Sequence, residues 1–449
     1  MSDKTIELLH ETLAISKELG ASATEAISFE ETSQNIEVKN GKLEKAERSE
    51  TIGLGVRVFL DNKAASVSSS TTDIENIREV IKRAIGMAEV APQDNFIGLA
   101  ENKHMCKKYD VAALDLFDQN YESVTPTDLK EKALEMEDAL LAVKGVSLSE
   151  GSSASGSRVK KTMVNSSGFF GSYEKTNFNL FCGAISGHSL EMERDHAFET
   201  RCHIKDMPSP RKIGILAGNR AVARQKPKKP PTGIYPVVFD RRVSSTLIGH
   251  LASALNGASL VRGSSWLLNC AETVILPESI CVTEDPTRPK INGSKPFDSE
   301  GVGTQKKQFI ENGIYKKNIL DLRTSRRLGL EPTGNASRSL SSAPFPASGN
   351  IEMTPGSKTA AELLTGISEG LLVTSLIGST INPNTGDYSR GANGFWIQNG
   401  KITHPVNECT IAGNLREMFL DLIPANDLDN FKTVMVPSLL IRKMTVAGK

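Results

Sequence analysis

Apolar residues fall at helical spacing over residues 3–20, where Ile6, Leu9, Leu13, Ile15 and Leu19 lie roughly on one face. A period of two then takes over. Ile36 and Val38 lead into Asn40-Gly41, a pair suited to a tight hairpin. Ile52, Leu54, Val56 and Val58 mark one face of the next strand, which ends at Asp61-Asn62, and a short strand follows at Val67. Asp73 is placed to cap a second helix to about Ala88, with Ile74, Ile77, Ile81 and Ile85 inward. To about residue 90 the chain reads helix, antiparallel strands, helix.

The same order recurs without a residue-level repeat. Thr125-Pro126-Thr127-Asp128 starts a helix with Pro at the first helical position, continued by Leu129, Ala133, Met136 and Leu140. Strands are expected from Val146 to about Leu190, broken by turns at Gly151-Ser152 and Ser166-Ser167-Gly168, and a helix near 209–224 closes the unit. Arg224 to Pro231, stiffened by prolines and solvated by basic residues, reads as a linker. Beyond it come a buried-type strand from Ile234 to Phe239, a helix from Val243 to Leu255, and short strands among Gly, Ser, Pro and Asn turns, with a helix over Lys358 to Glu369. Gly334 to Met353, rich in Ser, Ala, Pro and Gly, is expected to be a long mobile loop. The fold class is α+β: helix and antiparallel-sheet segments over 1–110 and 111–225, then a β-rich, barrel-like domain over 232–449.

Composition narrows the function. With 449 residues, 39% apolar and 24% charged, the sequence suits a globular protein of two or three domains. Lys+Arg and Asp+Glu both number 53, and the resulting zero net charge argues against direct nucleic-acid binding. Cys106, Cys182, Cys202, Cys270, Cys281 and Cys409 form no C-x-x-C pair and read as reduced thiols. Met1 to His10 has no apolar signal core, and no apolar run approaches the ~18–20 residues that span a bilayer. A cytoplasmic location is expected, with no membrane partner.

Catalytic signatures are sparse. A helical zinc site needs two imidazoles on one face and a carboxylate beside them, spaced H-E-x-x-H or H-E-x-x-x-H. Only His10 is followed by glutamate, and Ala14 and Ile15 stand where a second ligand belongs. Cys182, His188, His196, Cys202 and His203 are ligand types without the tight pairs of known zinc sites. No G-x-S-x-G elbow or phosphate-binding glycine loop occurs. Asp298 and Glu300 lie two apart; they read either as an acid–base pair or as turn polarity after Lys295-Pro296, the second being the plainer. In Gly386-Asp387-Tyr388-Ser389-Arg390-Gly391, Arg390 could fork onto a side-chain carboxylate or the terminal carboxylate of a peptide. A rigid turn with an internal Asp387–Arg390 bond is the equal alternative.

Pro296 to Gly301, Thr385 to Gly391, Ala392 to Trp396, Thr410 to Leu415, Gly249-His250-Leu251 and the ending Met444 to Gly448 resemble the TldD/PmbA family, on its PmbA (TldE) side. The resemblance is weak before about residue 230 and strong after it. It implies a cytoplasmic peptide-processing metalloprotease, in which a TldD subunit carries zinc on an H-E-x-x-x-H helix and a PmbA subunit completes a dimer. The helix from Ser245 to Gly257 matches that helix, with Ile248 and Ser253 at the histidine positions, Gly249 at the glutamate, and His250 between. TldD subunits also use a cysteine near the C terminus, and none follows Cys409. Neither isoleucine nor serine replaces an imidazole on zinc. The resemblance thus implies a subunit without its own metal or catalytic residues, zinc residing in a TldD-like partner, a flexible peptide as substrate, and a homodimer in the partner's absence. His250, Asp298, Glu300, Asp387 and Arg390 remain candidates for peptide binding or structure. The alternative is a regulator acting on DNA gyrase or on a toxin–antitoxin pair, since the family was first described as a gyrase modulator.

Overall fold

The computed structural model describes residues 2–449. Helix α1 (Ser2–Glu18) leads into strands β1 (Ala23–Lys39), β2 (Lys42–Leu60) and β3 (Lys63–Ser69), then helix α2 (Ile74–Val90). Asn40 and Gly41 both have positive φ, 53° and 70°, which a tight hairpin between right-twisted strands requires. Asp73 caps α2 by accepting the Asn76 N–H. After the short helix α3 (Val111–Leu114) the order recurs: α4 (Pro126–Leu141), β4 (Val146–Asn165), β5 (Phe170–Ser186), β6 (Glu193–Arg201) and α5 (Pro210–Ala223). Thr125 and Asp128 form a reciprocal capping box at the start of α4. Gly151-Ser152 does not reverse the chain as expected. The two residues lie inside β4 beside a register slip between Ser149 and Gly151, so the glycine serves a bulge in a continuing strand.

Both segments build one sheet, in the order β3-β2-β1-β4-β5-β6, joined by antiparallel pairing of β1 with β4. Strand alternation assigns its two faces. Ala26, Leu54, Val56, Val58 and Val164 pack with Leu9, Ile77 and Ile81 of α1 and α2. Ala154, Leu180 and Cys182 pack with Leu129, Met136 and Ile213 of α4 and α5. The intervening residues face the C-terminal domain: Ile27, Phe29, Met163 and Tyr173 meet Phe297, and Glu25 meets Arg338.

That domain begins with β7 (Gly233–Phe239), α6 (Arg241–Ala254) and α7 (Gly257–Val261). Short elements follow: β8 (Val282–Glu284), β9 (Lys307–Glu311), β10 (Ile314–Tyr315), α8 (Leu322–Leu328), β11 (Ala336–Ser337), β12 (Phe345–Pro346), β13 (Ile351–Met353) and α9 (Ala360–Thr365). Long strands β14 (Glu369–Ile381), β15 (Asp387–Gln398) and β16 (Lys401–Asn414) come next, then α10 (Leu415–Leu420), β17 (Leu422–Pro424), β18 (Val434–Met435) and β19 (Leu439–Ala447). Strands β16, β15, β14, β7 and β19 close into a barrel, because β16 also pairs with β19; closure removes their free edges. Leu247, Ile248 and Leu251 of α6 share the core with Phe239, Leu371, Tyr388 and Trp396 from the barrel. The helix expected over Lys358 to Glu369 is confined to α9, with Thr359 and Glu362 as its capping box.

Gly334 to Met353 is packed rather than a mobile loop. It carries β11, β12 and β13, and buries Asn335, Ala336, Arg338 and Asn350. Asn335 and the Gly349 N–H both donate to the buried Glu284 carboxylate, which Lys307 approaches at 2.6 Å. Small residues allow close approach: the Leu340 carbonyl lies 2.5 Å from where a Cβ on Gly55 would sit. Its partners are distant in the sequence, so local composition could not announce them.

Candidate functional site

The sequence-derived candidates separate into two places. The first is where α6 meets β15. Asp240 caps α6 through the Arg242 N–H, and Ile248 is 1% exposed in the barrel core. A Cβ at Gly249 would meet nothing within 4 Å, so this position opens outward. Ser253 is exposed and donates its hydroxyl to the Gly249 carbonyl at 2.9 Å. These positions therefore present a core isoleucine, a bare backbone and a hydroxyl bonded to its own helix. His250 is half-buried, edge-on to Tyr388 at 5.9 Å and 75°, with Nε2 buried and unpartnered. Burial, and then the Arg390 charge, push its pKa below the ordinary imidazole value. Burial pushes the Tyr388 phenol up to about 12.

Asp387 and Arg390 do not pair. Three residues apart on β15, they leave opposite faces. Arg390 Nε donates to the Gly378 carbonyl at 2.7 Å. Asp387 accepts from the Thr385 hydroxyl at 2.6 Å and the Asn414 amide at 3.0 Å, and these bonds hold its carboxyl below the usual range. Thr385 and Asn414, not an Asp–Arg bond, tie this turn together.

Asp298 and Glu300 occupy the second place, the junction between the sheet and the C-terminal domain. Pro296 to Gly301 forms a turn whose Phe297 is wholly buried among Tyr109, Phe169 and Tyr173, each edge-on at 5.2–5.4 Å. Asp298 accepts backbone N–H groups from Glu300 (2.8 Å), Val302 (3.0 Å) and Ala336 (3.0 Å). Burial lifts its pKa, while Lys295 and those three donors oppose the lift. Glu300 accepts the Leu322 N–H at 2.8 Å and lies 3.8 Å from Arg57. Burial and the neighbouring Asp298 charge hold Glu300 well above the usual carboxylate range. Arg57 also reaches Glu25 at 3.4 Å, and Arg338 binds the other Glu25 oxygen at 3.1 Å. Asp298 and Glu300 are thus engaged in holding two parts of the protein together rather than facing an open cleft.

Sequence reasoning missed Glu25, Arg57, Lys161 and Arg338. The available signal was charge at strand positions alternating with apolar ones, on a sheet whose second face is also covered. Cys182, His188, His196, Cys202 and His203 do not gather. Cys182 lies beside Ser152, His196 stacks on Phe181 and Phe198, and His203 bonds the Asp115 carbonyl at 2.8 Å. Among the described residues no group of three or more His, Cys, Asp or Glu converges as a metal site.

A six-stranded sheet built from two similar segments, joined through a buried ionic junction to a closed five-stranded barrel, defines a three-part architecture. The chain belongs to the PmbA/TldD metallopeptidase family. The models of its domain 1, central domain and C-terminal domain match residues 25–88, 119–225 and 232–448. It is similar to metalloprotease PmbA of Escherichia coli, 31% identical over 99% of this chain and 97% of that protein. A crystal structure from Bacteroides thetaiotaomicron, described as a modulator of DNA gyrase, matches with TM-score 0.92 and 25% identity, covering 100% of this chain and 99% of the other. TldE from Thermococcus kodakarensis shares the fold at TM-score 0.82 and 20% identity, over 98% of this chain and 100% of that one.

Proposed function

We propose that this protein is the zinc-free partner subunit of a two-subunit peptidase, in which a TldD-like family member carries the metal and both enclose a flexible peptide. One observation carries the reading: on α6, Ile248 is sunk in the core, Gly249 is bare and Ser253 is bonded to its own helix. No imidazole or carboxylate is offered there except His250, so these residues do not fit a zinc ion and no hydrolytic step is assigned to them.

A strand edge supplies the complementary part. Residues Lys42 to Thr51 of β2 are exposed and pair only with β1, because β3 begins its pairing at Leu54. Their free N–H and C=O groups suit strand addition by an extended peptide or a partner subunit. Lys42, Glu44, Lys45, Glu47, Arg48 and Glu50 guard that edge against indiscriminate pairing. A second copy of this chain would offer the same edge, which supports a homodimer when the partner is absent. No helix among the described residues is long and apolar enough to cross a membrane. The cytoplasm is the compartment proposed for the assembly, in keeping with six free cysteines.

The test is to assay the purified protein on an unstructured peptide with added zinc, then with a zinc-bearing family member from the same organism. No cleavage alone and cleavage on mixing, beyond that of the zinc subunit by itself, are expected. Robust zinc-dependent cleavage by this protein alone would overturn the reading.

A further inference from the structure

The face of the sheet that meets the barrel domain does not close completely. A cavity of about 320 Å³ remains at the junction. Phe29, Lys161 and Tyr173 stand directly opposite one another across β1, β4 and β5 and form its floor, with Lys175 at the next same-face position along β5. Lys295 and Arg338 line it from the C-terminal domain. Three lysines and an arginine therefore converge on a space of small-molecule size.

The cations have little to hold. Among the described residues none of the three lysines forms an ion pair: Glu25 and Glu300 lie against arginines, Asp298, whose charge acts on Lys161 and Lys295, is taken up by three backbone N–H groups, and Glu284, which acts on Lys295, is bonded to Lys307. Lys161 donates only to the Ser299 hydroxyl, at 3.1 Å, beside the Phe29 ring. Lys175 donates to the Asn292 carbonyl at 3.3 Å. Arg338 has a 2% exposed side chain and gives one Nη to Glu25; its Nε and Nη2 are buried without partners. Those two N–H groups form one edge of the guanidinium, the edge that grips two oxygens of an oxyanion. Burial pushes the Lys161 pKa down to about 7, and Lys175 and Lys295 are depressed for the same reason. Gathering like charges in a dry site is unfavourable, and the single Asp298 carboxylate acting on Lys161 and Lys295 offsets it only in part.

We infer that this cavity binds a small polyanion, a molecule with at least two negative charges on compact phosphate- or carboxylate-type groups. Arg338 grips it bidentately, and Lys161, Lys175 and Lys295 neutralise it. A monoanion would leave most of the converging charge uncompensated. The site is separate from the α6 surface and does not depend on the peptidase reading.

The test uses the full-length protein alone. Titration calorimetry with inorganic pyrophosphate and with citrate, near pH 8 and at constant ionic strength, is run in two buffers of different ionisation enthalpy. One site per protomer is expected, with proton uptake, because the anion draws a proton onto Lys161. Lys175→Gln and Lys295→Gln should each weaken binding by about tenfold or more, as expected for losing one charge-assisted contact. Lys175→Gln should leave the unliganded protein at least as heat-stable, since a charge that Lys295 repels has gone, whereas Lys295→Gln also takes a counter-charge from Asp298 and should melt lower. Tighter pyrophosphate binding assigns a phosphate compound, and tighter citrate binding a polycarboxylate. No binding of either at millimolar concentration, or binding by both variants as tight as the parent's, would sink the inference.

Discussion

The two faces of the N-terminal sheet are built to opposite rules. One is covered by α1, α2, α4 and α5 through Leu, Ile, Ala and Val side chains. The other meets the C-terminal domain through Glu25, Arg57, Lys161 and an aromatic cluster around Phe297. Both are largely removed from water, yet only one reads as a core. The apolar face gains stability from area alone and tolerates some repacking. The charged face is stable only in one geometry, because each buried charge needs its own partner. It therefore fixes how the sheet sits on the barrel domain. Where close ion pairs are lacking, around Lys161, Lys175 and Lys295, a cavity remains.

Substitutions can break this comparison. Glu25→Ala removes the shared partner of Arg57 and Arg338 and should cost about 3–5 kcal/mol in urea denaturation, the scale of a broken buried ion pair. A loss below about 1 kcal/mol would mean that water reaches the junction and that the faces differ less than described. Leu129→Ala, on the helix face, should cost about 2–5 kcal/mol through a cavity, with no dependence on salt.

Lys161 sharpens the contrast through pH. Its folded pKa of about 7 lies below the unfolded value of 10.5. Below pH 7 both states are protonated and the full penalty of burying the charge is present. From pH 7 towards 10.5 the unfolded state holds the extra proton, so stability rises with pH. In thermal melts between pH 6 and 9, without polyanions, Lys161→Met should be the more stable near pH 6 and its advantage over the parent should shrink as pH rises, while Glu300, whose raised pKa acts with the opposite sign, contributes alike to both proteins. The smallest effect tests the edge of the helix layer: Asp73→Ala removes the α2 cap and should cost about 1 kcal/mol.

Local pattern made much of the fold legible. The hairpin at Asn40-Gly41, the helices capped by Asp73 and Thr125, and the helix following Ile234 to Phe239 all appear where the spacing puts them. Failures came where a residue's partner is far along the sequence. Gly334 to Met353 looks mobile by composition, yet Asn335 and Gly349 are held by Glu284 and Arg338 by Glu25. Asp298 and Glu300 are legible as turn residues; their burial against Arg57 and Lys295 is not.

By itself the sequence determined the α+β class, the family-bearing motifs of the C-terminal half, and the absence of imidazoles at Ile248 and Ser253. These depend on residue identity and short-range periodicity, which need no neighbours to be read. Only the tertiary structure decided that both N-terminal segments share one sheet, that the barrel closes through β16 and β19, and that four cations from distant positions line one cavity. The reason is physical. Alternation says that a strand has two faces, but what each face costs or gains depends on which distant charge or ring is brought against it.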